Sequence, residues 1–186
     1  MRTRRKVVKI VVAATAVLAL AGCVQPPPRV IPTSEPSSAP VFASDAAALA
    51  AAKKAYASYL AVSDAVAHDG GSESERLATW DSKAQLKRDE KSFAAMHADG
   101  HRTTGSSTFS NLALQSSELS SGKAEVVVYV CLDISKTTLL DDSGTDVGSG
   151  RPLTLPLEVS LVSRQTGSPS LIIDRSVTWS GTDFCS

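Results

Sequence analysis

The most reactive side chains in this chain are its three cysteines. Cys23 directly follows one aliphatic residue and two small ones, near the start of the chain. Cys131 lies far downstream in a valine-rich segment, and Cys185 is the penultimate residue. A cysteine thiol can act as a nucleophile, bind a metal or form half of a disulfide. The surroundings of each cysteine therefore decide which of these roles it can take.

The segment before Cys23 has the order of a secretory signal. Five cations within the first nine residues precede an apolar run over residues 10–20. As a helix this run is about 16 Å long, which is short for a hydrocarbon core of about 30 Å. A basic start followed by a short apolar run is typical of a signal peptide.

The apolar run ends in Leu20-Ala21-Gly22-Cys23, which resembles the lipobox of bacterial lipoproteins. The resemblance implies that Cys23 receives a diacylglyceryl group, that residues 1–22 are removed, and that the new amine can be acylated. Because two acyl chains attach a protein stably to a bilayer, we expect a lipoprotein on the outer face of the bacterial cytoplasmic membrane. An ordinary signal peptide with a chance cysteine and an uncleaved anchor are the alternatives.

A proline-rich tether is predicted over residues 23–44. It contains six of the nine prolines of the chain, with serine and threonine between them. Because proline has no amide hydrogen and disfavours helix, we expect an extended spacer with a rise of about 3 Å per residue. Such a spacer would hold a folded domain a few tens of ångströms from the membrane.

Charge and composition exclude several classes of protein. The formal net charge of the whole chain is zero, but the part after residue 22 has 14 basic and 19 acidic residues, a net charge of −5. We therefore expect no nucleic acid as a partner. With 42% apolar residues and three cysteines, the chain is neither wholly disordered nor a disulfide scaffold.

Helices are predicted in the first part of the folded region, residues 45–186. Alanines and a period of three to four residues predict a helix over 45–68, which two glycines end. Ser44 or Asp45 can cap its start. Ser72 with Glu75 three residues on is a capping-box pattern, and it predicts one or two more helices that end at residue 100.

Strands are predicted in the second part, where the apolar period falls to two. The strand with Tyr129 is apolar on both faces and should therefore be central. Pro156 places its own strand at a sheet edge or a bulge, since proline cannot donate to a ladder. The four predicted strand segments are 103–115, 123–140, 153–161 and 171–179.

Helices followed by about four strands predict an α+β domain, with helices packed on one face of a curved antiparallel sheet. The order and length of the elements over residues 45–186 resemble those of the NTF2-like superfamily, in which helices close one side of a cone-shaped sheet. Members of that superfamily include pocket enzymes, small-molecule binders and non-catalytic domains of envelope complexes. The fold therefore does not choose the function.

Cys131 and Cys185 are consistent with a location outside the cytoplasm. Two thiols of one domain pair readily outside the cytoplasm, so we expect a disulfide that joins the end of the chain to the central strand. On the chain-entropy model, closing this loop contributes about 4 kcal/mol. A reactive thiol or a metal pair is the alternative.

Histidines and acidic residues give weak metal signals. His97 and His101 are four residues apart, like two ligands on one helix face, but Gly100 breaks the helix between them. The acidic loop 141–146 lacks the glutamate that a calcium loop needs. We therefore predict no metal and no cofactor.

Arg175 is the most informative single residue of the predicted strands. Simple alternation places it between two apolar residues on the inward face, where a cation needs a partner or water. If the sheet encloses a pocket, Arg175 with Tyr129, Asp133 or Trp179 would bind a small anionic or polar ligand. A structural ion pair and a strand end that reaches solvent are the alternatives.

No nucleophile elbow, phosphate loop or zinc-ligand cluster appears in the sequence, and we assign no catalytic residue. The sequence predicts a non-catalytic binding or interaction module, attached to the membrane through Cys23, with an envelope protein or a small ligand as its further partner. An NTF2-like pocket enzyme (a lyase, isomerase or hydrolase) and an accessory subunit of an envelope complex are the alternatives.

Overall fold

A computed structural model describes residues 40–185. The predicted signal peptide, Cys23 and most of the predicted tether lie outside these residues. Within them, no helix has both the length and the apolar character needed to cross a membrane. The elements in chain order are α1 (Asp45–His68), a 3₁₀ helix (Ser74–Thr79), α2 (Lys83–Ala98), β1 (Arg102–Gly105), β2 (Thr108–Ser120), β3 (Lys123–Asp133), β4 (Thr137–Leu140), β5 (Thr154–Ser163) and β6 (Leu171–Thr178).

Helix α1 has the bounds that the sequence predicts. Ser44 caps it, because its side chain accepts a hydrogen bond from the Ala47 amide at 3.2 Å. After its last turn, Gly70 and Gly71 take positive φ angles of 65° and 80°. A side chain at Gly71 would collide with the Phe93 carbonyl, so this glycine also lets α2 approach.

The second long helix begins later than predicted. The capping-box interpretation of Ser72 and Glu75 is wrong, since the chain there continues through turns into the 3₁₀ helix. The same pattern recurs at Ser82 and Gln85, and here the Ser82 side chain does accept a hydrogen bond from the Gln85 amide at 3.2 Å. Helix α2 then ends just before Gly100, as predicted.

The sheet confirms an α+β fold with four antiparallel strands in the order β2-β3-β5-β6. β3 is central, as predicted, because it pairs with both β2 and β5. Two of the predicted strands are each divided by a turn, and their outer pieces, β1 and β4, pair as a separate two-stranded sheet.

Helix α1 packs against one face of the four-stranded sheet, called here the inner face. Valines and leucines at alternate positions of β3 and β5 meet alanines and Tyr56 of α1 there. Phe42, which lies in the predicted tether, also packs against this core. The buried residues of the core are Ala48, Ala52, Ala55, Tyr56, Leu60, Val126, Val128, Val130, Leu157, Val159, Leu161, Leu171 and Ile173.

Pro156 does not place β5 at an edge, because β5 lies between β3 and β6. The Pro156 carbonyl accepts a hydrogen bond from the Trp179 amide at 2.8 Å, one residue beyond the last β5–β6 pair. In an antiparallel strand the nitrogen and the carbonyl of one residue point to the same side. The missing amide hydrogen therefore falls where the ladder has already ended.

Candidate functional site

Tyr129 and Trp179, two of the four residues predicted to line a pocket, meet on the outer face of the sheet, opposite α1. Their ring centroids are 4.6 Å apart, and Phe184 stacks on Tyr129 at 5.2 Å. The cavity beside these rings has a volume of about 410 Å³ and is called here the aromatic cleft. Its lining residues are Asn111, Ala113, Tyr129, Trp179, Thr182 and Phe184.

One wall of the aromatic cleft belongs to residues 179–185, called here the C-terminal strap. The strap leaves the end of β6, and its Trp179 side chain donates a hydrogen bond to the Thr182 carbonyl at 3.3 Å. A disulfide joins Cys185 to Cys131 of β3, the pair that the sequence predicts. The disulfide therefore holds Phe184 over Tyr129 and gives the cleft its shape.

Arg175 does not face the core, contrary to the prediction. Neighbouring residues of β5 pair with Ile173 and Arg175, so Asp174 is an extra residue in β6. Such a bulge reverses the alternation of side chains beyond it. Arg175 therefore points outward with 56% of its side chain exposed, and its Nη1 lies 3.6 Å from Glu158 Oε1. The alternative of an ion pair at the surface is the one that the structure bears out.

Asp133 also lies apart from the aromatic cleft. It ends β3, and its carboxylate accepts a hydrogen bond from the Ser135 amide at 2.8 Å. Hydrogen bonds from Ser135 hold the pKa of Asp133 below its ordinary value. This side chain closes a turn, and it does not line the cleft.

A second site, which the sequence did not indicate, is a groove along α1. One cavity of about 580 Å³ lies between α1 and residues 106–109, and a neighbouring one of about 330 Å³ lies between α1 and residues 109–112. Both include Lys53 and Phe109, and together they are called here the α1 groove. Its α1 wall is formed by Ala46, Leu49, Ala50, Lys53, Ala57, Leu60, Ala61, Asp64, Ala65 and His68.

Two polar side chains of the α1 groove hold the segment before β2. The Asp64 carboxylate accepts hydrogen bonds from the Ser107 amide and hydroxyl at 2.8 and 2.7 Å. His68 Nε2 donates to the Gly105 carbonyl at 2.7 Å. Lys53 is exposed, and it makes no ion pair or hydrogen bond with any described residue. It is therefore the charged group that the groove offers to a ligand.

Asn111 lies between the α1 groove and the aromatic cleft and lines both. It is in β2, an edge strand of the sheet, where the pairing with β3 is interrupted between Ser110 and Ala113. Its φ angle of 50° is left-handed, a conformation that asparagine tolerates better than most residues. The backbone edge of β2 is thus irregular at the point where the two cavities meet.

Two acidic residues, buried Asp81 and half-buried Asp89, lie at the other edge of the sheet. Asp81 is 5% exposed, and neither of its carboxyl oxygens has a hydrogen-bond partner among residues 40–185. Its neighbour Asp89 accepts hydrogen bonds from the Tyr59 hydroxyl at 3.0 Å and from Gln85 Nε2 at 2.8 Å. Burial, and then the nearby Asp89 carboxylate, raises the pKa of Asp81 to about 8. Both causes favour the protonated form of the Asp81 carboxyl.

No group of three or more histidine, cysteine, aspartate or glutamate residues within the described range is arranged to hold a metal ion. His97, one of the histidines considered above, instead contacts the Gly70 carbonyl through Nδ1 at 3.2 Å. This histidine serves to join the end of α2 to the turn after α1.

Comparison with known proteins shows a similarity of fold with one solved structure. No family model and no curated protein matches this chain. Among solved structures, the crystal structure of the intermembrane space region of chloroplast protein ARC6 is similar, with a TM-score of 0.50 and 13% sequence identity. The match covers 70% of this chain and 95% of that chain. At this identity the similarity concerns the fold alone.

Proposed function

We propose that this protein is an extracytoplasmic lipoprotein, anchored through Cys23 to the outer face of the bacterial cytoplasmic membrane, whose folded domain is a non-catalytic binding module. The α1 groove is the observation that carries the binding function. It is long, open and walled largely by small apolar side chains, which is how sites for apolar ligand segments are built.

The architecture supports an NTF2-like assignment for this module. Helix α1 crosses the inner face of a four-stranded antiparallel sheet, and the core lies between them. Interruptions of the β2–β3 and β5–β6 ladders are the features that bend strands and curve a sheet. A curved sheet with a helix across it is the arrangement that the superfamily resemblance implies.

The groove also indicates the chemistry of its ligand. Alanines make its α1 wall shallow, so an extended apolar segment fits better than a bulky compact one. Lys53 contributes to both cavities and makes no ion pair with a described residue, so an acidic group on the ligand gains a charge partner. We infer that the ligand is an apolar segment with a carboxylate, presented by an envelope protein.

The anchor is tested by the fate of Cys23. The full chain should partition with membranes, whereas a Cys23→Ala variant should keep its signal segment and run at a larger apparent mass. A Cys185→Ala variant is the matched control, since it also loses one thiol and should stay lipidated. The anchor proposal is wrong if the Cys23→Ala variant has the same size and the same membrane partition as the unaltered chain.

The groove is tested by site-specific photocrosslinking of the full chain in its own cells. A photoreactive residue at Ala61, exposed in the groove, should give one discrete adduct. The same residue at Ala94, exposed on α2, should give none. A Lys53→Glu change should weaken the Ala61 adduct. Equal labelling at both alanines, or no adduct at Ala61, contradicts the proposal.

A further inference from the structure

The aromatic cleft lies on the face of the sheet opposite α1. Its rings belong to Tyr129, Trp179 and Phe184, each of which is only partly buried. Helix α1 packs against the inner face, so the rings remain accessible on the outer face between β2 and the C-terminal strap. The cleft therefore keeps aromatic surface in contact with solvent.

The indole of Trp179 is held in place before any ligand binds. Its N–H donates to the Thr182 carbonyl at 3.3 Å, and its ring centroid lies 4.6 Å from that of Tyr129. A Cβ atom added to Gly181 would collide with three atoms of the indole, so the backbone there packs directly against the ring. The disulfide described above fixes the far end of the strap. A ligand therefore meets rigid walls, and little entropy is lost in ordering them.

Three uncharged polar groups lie among these apolar walls. The hydroxyls of Tyr129 and Thr182 make no hydrogen bond with any described residue. The Asn111 side chain contacts Cys131 Sγ through Nδ2 at 3.8 Å, which leaves its oxygen without a partner among residues 40–185. A few such polar groups within a largely apolar site fix the orientation of a polar ligand.

The described residues that line the cleft include no charged side chain. The acidic residue opposite Tyr129 in the register of β3 and β5 is Glu158. Its Oε1 lies 3.6 Å from Nη1 of Arg175, so the two charges offset each other beside the rings. The cleft therefore favours an uncharged ligand over an anion or a cation.

A sugar ring has the surface that these walls require. One face of a pyranose consists of C–H bonds with a partial positive charge, which pack against the negative face of an aromatic ring. Its edge has hydroxyl groups, which both donate and accept hydrogen bonds. A purely apolar ligand would instead bury the polar groups of the cleft without partners, which is unfavourable. The volume of about 410 Å³ lies within the range of small-ligand sites, about 300–1,000 Å³.

We propose that the aromatic cleft binds one uncharged pyranose unit of a saccharide. The C–H face of the sugar lies on the aromatic rings, and its hydroxyls bond to Asn111, Tyr129 and Thr182. The rings supply the contact area, and the polar groups select among sugars. The site uses neither Cys23 nor the α1 groove, so it does not depend on the function proposed above.

The test uses the fluorescence of Trp179 in the full chain, in a detergent without sugar in its headgroup. Trp80 is the other tryptophan, so a Trp80→Phe background leaves Trp179 as the sole indole. The probes are four neutral trisaccharides, built from glucose, mannose, galactose and N-acetylglucosamine, each added up to about 10 mM. At least one of them should change the emission of Trp179 in a saturable way.

Variants of the cleft locate the binding. Phe184→Ala should weaken the affinity for that sugar about tenfold, because it removes one aromatic wall. Tyr129→Phe keeps the ring and loses only the hydroxyl, so it should weaken the affinity about fivefold without disturbing the strap. Leu153→Ala is the matched control: it removes an exposed apolar side chain elsewhere in the domain, and the affinity should not change.

Three results would overturn the proposal. The first is the absence of a saturable response to all four sugars. The second is a response that Leu153→Ala weakens as much as Phe184→Ala and Tyr129→Phe do, because the sugar would then bind without the cleft. The third is a stronger response to tetramethylammonium or to decanoate than to any sugar, which would assign the cleft to a cation or to an apolar chain.

Discussion

The two edges of the four-stranded sheet differ in how they are covered: within the described residues, β6 is covered by further hydrogen bonds, whereas β2 is not. At β6, residues just before α2 add a short parallel bridge: the Ile173 amide donates to the Trp80 carbonyl, and the Ser82 amide donates to the Ile173 carbonyl, both at 2.7 Å. The Gln85 side-chain oxygen also accepts a hydrogen bond from the Ser176 amide at 3.3 Å. At β2, the ladder is interrupted by bulges, and the edge lies between two cavities.

The difference shows where this fold places its stability and where it leaves room for binding. An unpaired edge invites association, so a protein covers it, distorts it or uses it. The β6 edge is covered by backbone hydrogen bonds and a buried side-chain network. The β2 edge is distorted at Asn111 and faces open grooves. Changes at β6 should therefore cost stability, and changes at β2 should mainly affect binding.

The largest effect should come from the disulfide between the central strand β3 and the C-terminal strap, which belongs to neither edge. The cysteines are 54 residues apart, so on the chain-entropy model a Cys131→Ala/Cys185→Ala variant loses about 4 kcal/mol of unfolding free energy in urea. Amides of residues 171–176 at the β6 edge should keep their relative protection from hydrogen exchange, while the strap loses its protection. A loss below about 1 kcal/mol would show that the strap does not constrain the unfolded chain.

Gln85 and Gln115 allow a comparison of the same residue type at the two edges. Gln85 is 3% exposed and bonds to Asp89, Arg88 and the Ser176 amide. A Gln85→Ala change removes one hydrogen-bond partner from each of these groups and should cost about 3 kcal/mol in urea unfolding. Gln115→Ala, exposed on β2, should cost less than about 0.5 kcal/mol. Equal losses would remove the distinction between the two edges.

Local signals were enough to predict helix α1 and the central position of β3. Helix α1 has a serine cap, an alanine-rich body and two terminal glycines, and all of these act within a few residues of one another. β3 has apolar residues on both faces, which is sufficient to place it at the centre of the sheet.

Features that depend on tertiary contacts could not be predicted in this way. Arg175 was placed on the wrong face because a bulge at Asp174 has no sequence signature of its own. The burial of Asp81 could not be predicted from local sequence, because it depends on the approach of a turn to β6. Tyr129 and Trp179 were predicted from strand alternation, but Phe184 joins them only because the disulfide directs the strap.

Asp81 predicts a specific dependence of stability on pH. Its pKa is about 8 in the folded protein against an ordinary 3.8, so the folded state keeps a proton that the unfolded state releases. The contribution of Asp81 to stability is therefore greatest at low pH and is lost as the pH rises toward 8. Tyr59, Arg88 and Asp89 are the ionisable groups that face it.

An Asp81→Asn variant should remove this dependence, because its amide stays neutral and can donate to Asp89. Relative to the unaltered chain, the variant should change little in stability at pH 4 and should be clearly more stable at pH 9, measured by urea unfolding at both values. Asp142→Asn, at an exposed position in the loop after β4, is the control and should show no such gain. A variant that is less stable at every pH would mean that the Asp81 carboxylate is ionised and paired.

The smallest effect is expected at Asn111, where two substitutions distinguish the role of the backbone conformation from that of the side chain. Alanine tolerates a φ angle of 50° poorly, so Asn111→Ala should cost about 1 kcal/mol in urea unfolding. Glycine accepts this angle, so Asn111→Gly should leave stability within about 0.5 kcal/mol of the unaltered chain. If Asn111 serves recognition at the β2 edge, the glycine variant should still weaken the crosslinked adduct at Ala61, because Asn111 lines the α1 groove. An unchanged adduct in a stable glycine variant would mean that the asparagine serves only the turn of the backbone, and that recognition in the α1 groove depends on its other side chains.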